Sequence, residues 1–205
     1  MEIGALDGIL YSNSLFFERY LNWSGVLIEG NPDLINPLEK NRPKAHNFGL
    51  CVCRPPQTEV LFVNNQNTAV GGVLDDMSSK HFQAYFGSKS NYINVPCKPM
   101  GAILREARIE SVDVLIIDVE GSEHIVLQTM DWQIPVHVIM IEVGGHSEAR
   151  DELNRNFLTK IGFVNTLPEW DIKSFCTEGG DCAGNEVYVN PHFPQLPPSL
   201  RQTQD

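Results

Sequence analysis

The chain has 205 residues, 42% of them hydrophobic, and a net charge of −11. That length suits one domain with a sizeable core. The charge argues against nucleic acid, which needs a basic face, weighs equally against anionic membranes, and suits a neutral or cationic small ligand.

No apolar run approaches the roughly 20 residues of a membrane span. The opening "MEIGALDG" is not a signal peptide. A cytoplasmic protein is the expectation. The first strand is only a stub, so further elements are expected before it. The five cysteines, Cys51, Cys53, Cys97, Cys176 and Cys182, are odd in number and scattered. They do not read as a disulfide framework. Reduced, mostly buried thiols are expected, with Cys176 and Cys182 able to pair if the protein is secreted. No CxxC pair or histidine set completes a zinc site, and no metal is assigned.

In chain order, "EIGA" (2–5) reads as a short strand. Phe16, Phe17, Tyr20 and Leu21 then form an apolar stripe at helical spacing. "GVLIE" (25–29) is a second strand. The next helix opens with Asn31 as N-cap and Pro32 at its first position, and Pro37 should kink or split it. "AHNFGLCVC" (45–53) reads as one strand and "TEVLFV" (58–63) as another. Residues 64–92 show no period and read as a long functional or mobile loop. Helical spacing returns over 97–108. "VDVLIIDV" (112–119) and "VHVIMIEV" (136–143) are strands buried on both faces. Each is followed by a helix, at 121–130 and at 147–161, the latter stopped by Gly162. "FVNTL" and "NEVYVN" close the sheet. Residues 1–190 thus form one domain, and the Pro-rich stretch 191–205 reads as a disordered tail.

The alternation predicts an α/β fold: a doubly wound, mainly parallel, Rossmann-like sheet with helices on both faces and an antiparallel edge strand. Ligands in such sheets bind beyond the carboxyl ends of the strands, where strand order reverses. Those ends read "GALDG", "EGNP", "GLCVC", "DVEG" and "EVGGH", and carboxylates recur among them. Gly4 and Gly8 allow a tight turn. Leu6 stands where a dinucleotide fingerprint needs its second glycine, which counts against NAD(P). Glu29 ends the second strand, where a carboxylate grips a ribose diol.

"EIGALDGILYSNSLFFE", "GVLIEGNP" and "VDVLIIDVEGSEHIVLQTM" together resemble FkbM-type methyltransferases, over roughly residues 2–145. The resemblance implies S-adenosylmethionine as cofactor, a class I methyltransferase sheet, and O-methylation of a sugar or small metabolite. It implies that Glu2, Gly4, Ala5 and Gly8 line the methionine end. Asp7 or Asn13 would reach the amino or carboxylate group, Glu29 would hold the ribose, and Leu50 would lie near the adenine. Asp118 and Glu120 would face the methyl group or the acceptor. Bases for a hydroxyl acceptor are Asp118 and Glu120 first, with His146, His124 and Glu142 behind them. The rival reading is a non-catalytic interaction domain on the same scaffold. The expected partner is a small-molecule acceptor.

Overall fold

The structure, a computed structural model, describes residues 1–66, 68–87, 90–144, 147–166 and 184–193. The first half of the chain runs β1 (Glu2–Ile3), α1 (Leu15–Leu21), β2 (Val26–Glu29), α2 (Pro32–Asn41), β3 (His46–Gly49), β4 (Cys51–Val52), β5 (Glu59–Asn64), a 3-10 turn (Thr68–Val70), β6 (Gly72–Val73) and α3 (Ser79–Tyr85). The second runs β7 (Asn91–Lys98), α4 (Met100–Glu106), β8 (Val112–Ile117), α5 (Glu123–Thr129), β9 (Val136–Val143), α6 (Glu148–Lys160), β10 (Val164–Asn165) and β11 (Gly184–Val189).

Seven strands form the main sheet, in the order β10-β11-β9-β8-β1-β2-β3. All pairs are parallel except those made by β11, which is antiparallel to both β9 and β10. The chain moves outward from β1 to β3, then returns to lay β8 beside β1 and moves outward again to β9. Strand order therefore reverses between β1 and β8.

The strands are apolar on both sides because helices cover both. Leu27 meets Leu38 of α2 on one face. Ile28, Leu115 and Ile117 join Leu104 of α4, Val126 of α5 and Leu158 of α6 on the other. This is the period-two alternation of strand side chains, with each buried aliphatic residue contributing about 1.5–3 kcal/mol. Asn31 caps α2 by accepting from the Asp33 N–H, and Ser147 caps α6 by accepting from the Arg150 N–H.

Several expectations are corrected. The strand expected over 45–53 splits between two sheets. A Cβ on Gly49 would come within 3.0 Å of Ile35, and beyond it the chain leaves β2 and pairs with β7. The supposed loop 64–92 holds a turn, β6 and α3. Together β4, β7, β5 and β6 make a second, four-stranded sheet around Cys51, Val60, Phe62, Val73 and Val95. The helix expected from 97 starts at Met100, because β7 uses the residues up to Lys98. Pro37 does not split α2, which is one helix of 10 residues. The antiparallel strand β11 is not at the edge; β10 lies outside it.

Thiol expectations change as well. Cys53 and Cys97 form a disulfide, while Cys51 stays free and buried. Cys176, Cys182 and the tail from 194 onward lie outside the described residues. No helix among the described residues is long and apolar enough to cross a membrane.

The disulfide closes a loop with a sequence separation of 44. The Cys53→Ser, Cys97→Ser double variant should lose about 2–4 kcal/mol of unfolding free energy. Urea unfolding without reductant measures this, and an unchanged midpoint would show that the bond does not contribute.

Candidate active site

A cavity opens at the carboxyl ends of β1 and β8, where strand order reverses. It holds about 630 Å³ of atom-free space including its open mouth. Main-sheet residues Gly4, Leu6, Ile28, Glu29 and Asp118 to Glu120 form its floor. Leu50, Cys51, Val52 and Phe62 give it an apolar side. Thr68, Ala69, Gly71, Gly72 and Val73 form a wall contributed by the second sheet and the turn before it.

Gly4 sets the geometry of the floor. Its φ is +85°, and a Cβ there would sit 1.7 Å from the carbonyl oxygen of Asp118. Only glycine lets these two strand tips meet. Glu29 follows from the next strand and is 4% exposed. Its Oε2 accepts from the Leu6 N–H at 2.8 Å and its Oε1 from the Asn31 N–H at 2.7 Å. The carboxyl pKa is raised by burial, against the smaller opposing pull of those N–H bonds. Two backbone turns thus aim one carboxylate at the cavity, and each oxygen keeps capacity for a further bond.

The segment after β8 turns sharply. Glu120 has a φ of +56° and Gly121 of +116°. A left-handed conformation at a non-glycine residue costs on the order of 1–3 kcal/mol and marks over-determined sites. A Cβ on Gly121 would approach the Asp76 carbonyl oxygen to 2.6 Å. Glu123 braces the turn, its Oε1 accepting from the N–H groups of Val119 and Gly121.

The carboxylate oxygens of Asp118, Glu120 and Glu142 come within 4.8 Å of one another. Such a spacing is bridged by a bound cation or by a shared proton. Burial, and then the charges of Asp118, Glu120 and Glu123, push the Glu142 carboxyl up to about 10, which favours a shared proton where no cation is bound. Glu142 is therefore neutral at physiological pH and hydrogen-bonds Asp118, while its Oε2 has no partner among the described residues. Burial also raises Glu120, partly offset by His81. The Cys51 thiol is pushed up to about 12 by burial first and then by Glu29 and Asp76. It is no thiolate nucleophile at neutral pH.

Of the residues singled out in the sequence, Gly4, Glu29, Leu50, Asp118 and Glu120 line the cavity. Glu2, Ala5, Asp7, Gly8 and Asn13 lie outside its lining. Glu2 faces away from Ile3 and is consumed by Ser12 Oγ, Ser14 Oγ and the Asn13 N–H, all at 2.7 Å. Asn13 thus serves through its backbone. Asp7 accepts from the N–H groups of Ile9 and Leu10. Gly8 packs under Leu38 and Arg42, and Ala5 is buried against Leu27 and Leu38. His146 lies outside the described residues. His124 sits between Asn154 and Gln128 on α5 and α6.

Sequence reasoning missed Phe62, the 68–73 wall, Ser122, Asp76 and His81. Ser122 Oγ donates to Asp76 at 2.7 Å, which ties the β8 turn to the second sheet. A signal for α3 was present: Ser78 caps it, and Phe82 and Phe86 repeat at helical spacing.

A family model described as a methyltransferase FkbM domain matches residues 2–165. The chain belongs to the FkbM methyltransferase family. Comparisons with curated proteins and with solved structures give no match. The family match covers β1 through β10, and so spans every wall of the cavity.

The state of Glu142 can be read from stability. Its ordinary value is 4.5 and its folded value is raised. The folded chain therefore keeps a proton that the unfolded chain loses as pH rises above about 4.5. That contribution is full below the ordinary value and falls as pH climbs toward the folded one. Glu142→Gln has no proton to lose. Its stability relative to the parent should grow between about pH 5 and about pH 9, by up to ~1.4 kcal/mol per pH unit. Parallel thermal melts that stay equally spaced across this range would show that Glu142 is not a buried neutral acid.

Proposed function

We propose that this methyltransferase takes its methyl group from S-adenosylmethionine and delivers it to a hydroxyl of a small acceptor such as a sugar or metabolite. The observation that carries this reading is Glu29. It is a buried carboxylate at the end of β2, oriented by two turns toward a cavity at the point of strand reversal. That is where a ribose diol is gripped in doubly wound sheets. The strand order supports a class I methyltransferase arrangement as part of the same reading. From β3 inward it runs third, second, first, then β8 and β9, with one antiparallel strand inserted beyond.

The lining fits that cofactor. Glu29 would accept the ribose hydroxyls with charge-assisted bonds. Leu50, Cys51, Val52 and Phe62 offer an apolar slot for a flat base. Asp118 and Glu120 place negative charge where a cationic donor is held. When bound, S-adenosylmethionine supplies an electrophilic methyl on a good leaving group. The protein's work is then mainly alignment and exclusion of water, which contributes up to roughly 7–11 kcal/mol in the best cases. A hydroxyl acceptor must also lose a proton. Asp118 or Glu120 takes it, since neutral Glu142 has no vacant carboxylate; such general base catalysis contributes about 100- to 10,000-fold. Carboxylates beside a cation stabilise the bound donor too, so their charge alone does not accelerate transfer.

The compartment is open to the same reasoning. A Cys53–Cys97 disulfide suits an oxidising compartment better than the cytoplasm.

Calorimetry with S-adenosylmethionine and S-adenosylhomocysteine tests the reading. Both should bind. Glu29→Ala removes two charge-assisted bonds of about 1.5–3 kcal/mol each, so affinity should fall at least ~100-fold while the fold persists by circular dichroism. Binding of NAD in place of S-adenosylmethionine, or an unchanged affinity in the variant, would refute the assignment. Release of S-adenosylhomocysteine with a panel of hydroxylated acceptors separates an enzyme from a silent scaffold.

A further inference from the structure

We propose that His81 is a positioning residue of this site, holding the Glu120 carboxylate against the cavity and fastening the 68–73 wall to it. The inference rests on reading the cavity as the methyl-transfer site. His81 belongs to α3, and its side chain is 4% exposed. Its Nε2 lies 3.0 Å from the carbonyl oxygen of Val70. A carbonyl only accepts, so Nε2 carries a hydrogen and donates. Nδ1 is then the nitrogen turned to Glu120, 3.4 Å from Oε2, and one proton between them, carried by either partner, completes the contact.

The ring has little freedom to leave this pose. It packs against Tyr85 and Phe86, with centroids 4.8 and 6.1 Å away. Its backbone N–H donates to Ser78 Oγ, the cap of α3. Val70 is a buried member of a wall whose other residues Thr68, Ala69, Gly71, Gly72 and Val73 line the cavity. On the other side, Glu120 is held in a left-handed conformation and packs so closely on the wall that a Cβ on Gly72 would reach 3.1 Å from its own Cβ. One imidazole therefore spans the wall and the acid.

This arrangement does what catalysis by alignment requires. A glutamate side chain loses rotamer freedom when it is ordered. His81 meets that cost during folding, before any acceptor arrives, which is preorganisation. On the acid's side, oxygens of Asp118 and Glu142 lie within 4.8 Å of a Glu120 oxygen. His81 faces Glu120 from the second sheet's side.

Ring-nitrogen NMR on the full chain labelled with ¹⁵N-histidine tests the proposal. His81→Gln places its amide where Nε2 sits, keeps the Val70 bond, and assigns the His81 signals by their loss. In the parent, Nε2 should be protonated throughout. The Nδ1 resonance should shift in Glu120→Gln while Nε2 does not. Adding S-adenosylhomocysteine to the parent should shift Nδ1 again, a response that a purely structural pair would not give. Identical Nδ1 resonances in the parent and Glu120→Gln would overturn the pairing. A resonance that ignores S-adenosylhomocysteine, where calorimetry shows it bound, would overturn the positioning role. If calorimetry shows no binding, the reading of the cavity fails and the role falls with it. The Glu120→Gln comparison still decides the pair independently.

Discussion

The site depends on the close approach of two strand tips. Gly4, ending β1, lies against the carbonyl of Asp118, ending β8, with no room for even one methyl group between them. These strands are neighbours in space although their paired residues, such as Glu2 and Ile116, are 114 positions apart in the chain, because the sheet reverses its order between them. Beyond that contact their following segments part. The first turns through Leu6 to meet Glu29, and the second turns through Glu120 and Gly121. The cavity is the space they leave. It exists because the sheet reverses here and because glycine occupies the crossing.

Around that space the chain concentrates acid and then manages the repulsion. Glu29 is held by two backbone N–H groups, Glu123 by two more, and Asp76 by Ser122. Glu142 escapes repulsion by keeping its proton, and Glu120 faces His81. Each acid has a different compensation, so each has a different chemical capacity. Glu29 can accept hydrogen bonds, Glu142 can donate one, and Asp118 and Glu120 line the cavity at the β8 turn. Neighbouring carboxyl groups with separated proton affinities are the usual basis for distinct acid and base roles.

The main sheet was legible because its signals are local. The runs in β8 and β9 are apolar and β-branched, and α2 and α6 carry readable caps. The rule that ligands sit beyond strand ends reached Gly4, Glu29, Leu50, Asp118 and Glu120, all of which line the cavity. It did not separate them from Glu2, Ala5, Asp7, Gly8 and Asn13, which are near Gly4 in sequence but turned elsewhere. Alternation along β1 explains Glu2: Ile3 faces the cavity, so its neighbour cannot. The second sheet was illegible for the opposite reason. β4 and β6 have two residues each, and β7 finds its partners at long range. Two residues carry no period, so the wall, Phe62 and His81 had no local signature as parts of a site. The Cys53–Cys97 pair was hidden likewise, since odd and scattered cysteines do not announce which two strands will bring them together.

The central claim is that this cavity holds a nucleoside donor with its reactive end beside the acids of the β8 turn. A crystal structure of the chain with S-adenosylhomocysteine measures that directly. The ribose hydroxyls should lie within hydrogen-bond distance of Glu29, the adenine against Leu50 and Phe62, and the sulfur toward Asp118 and Glu120. A nucleoside bound elsewhere, or bound here with its ribose away from Glu29, would contradict the account.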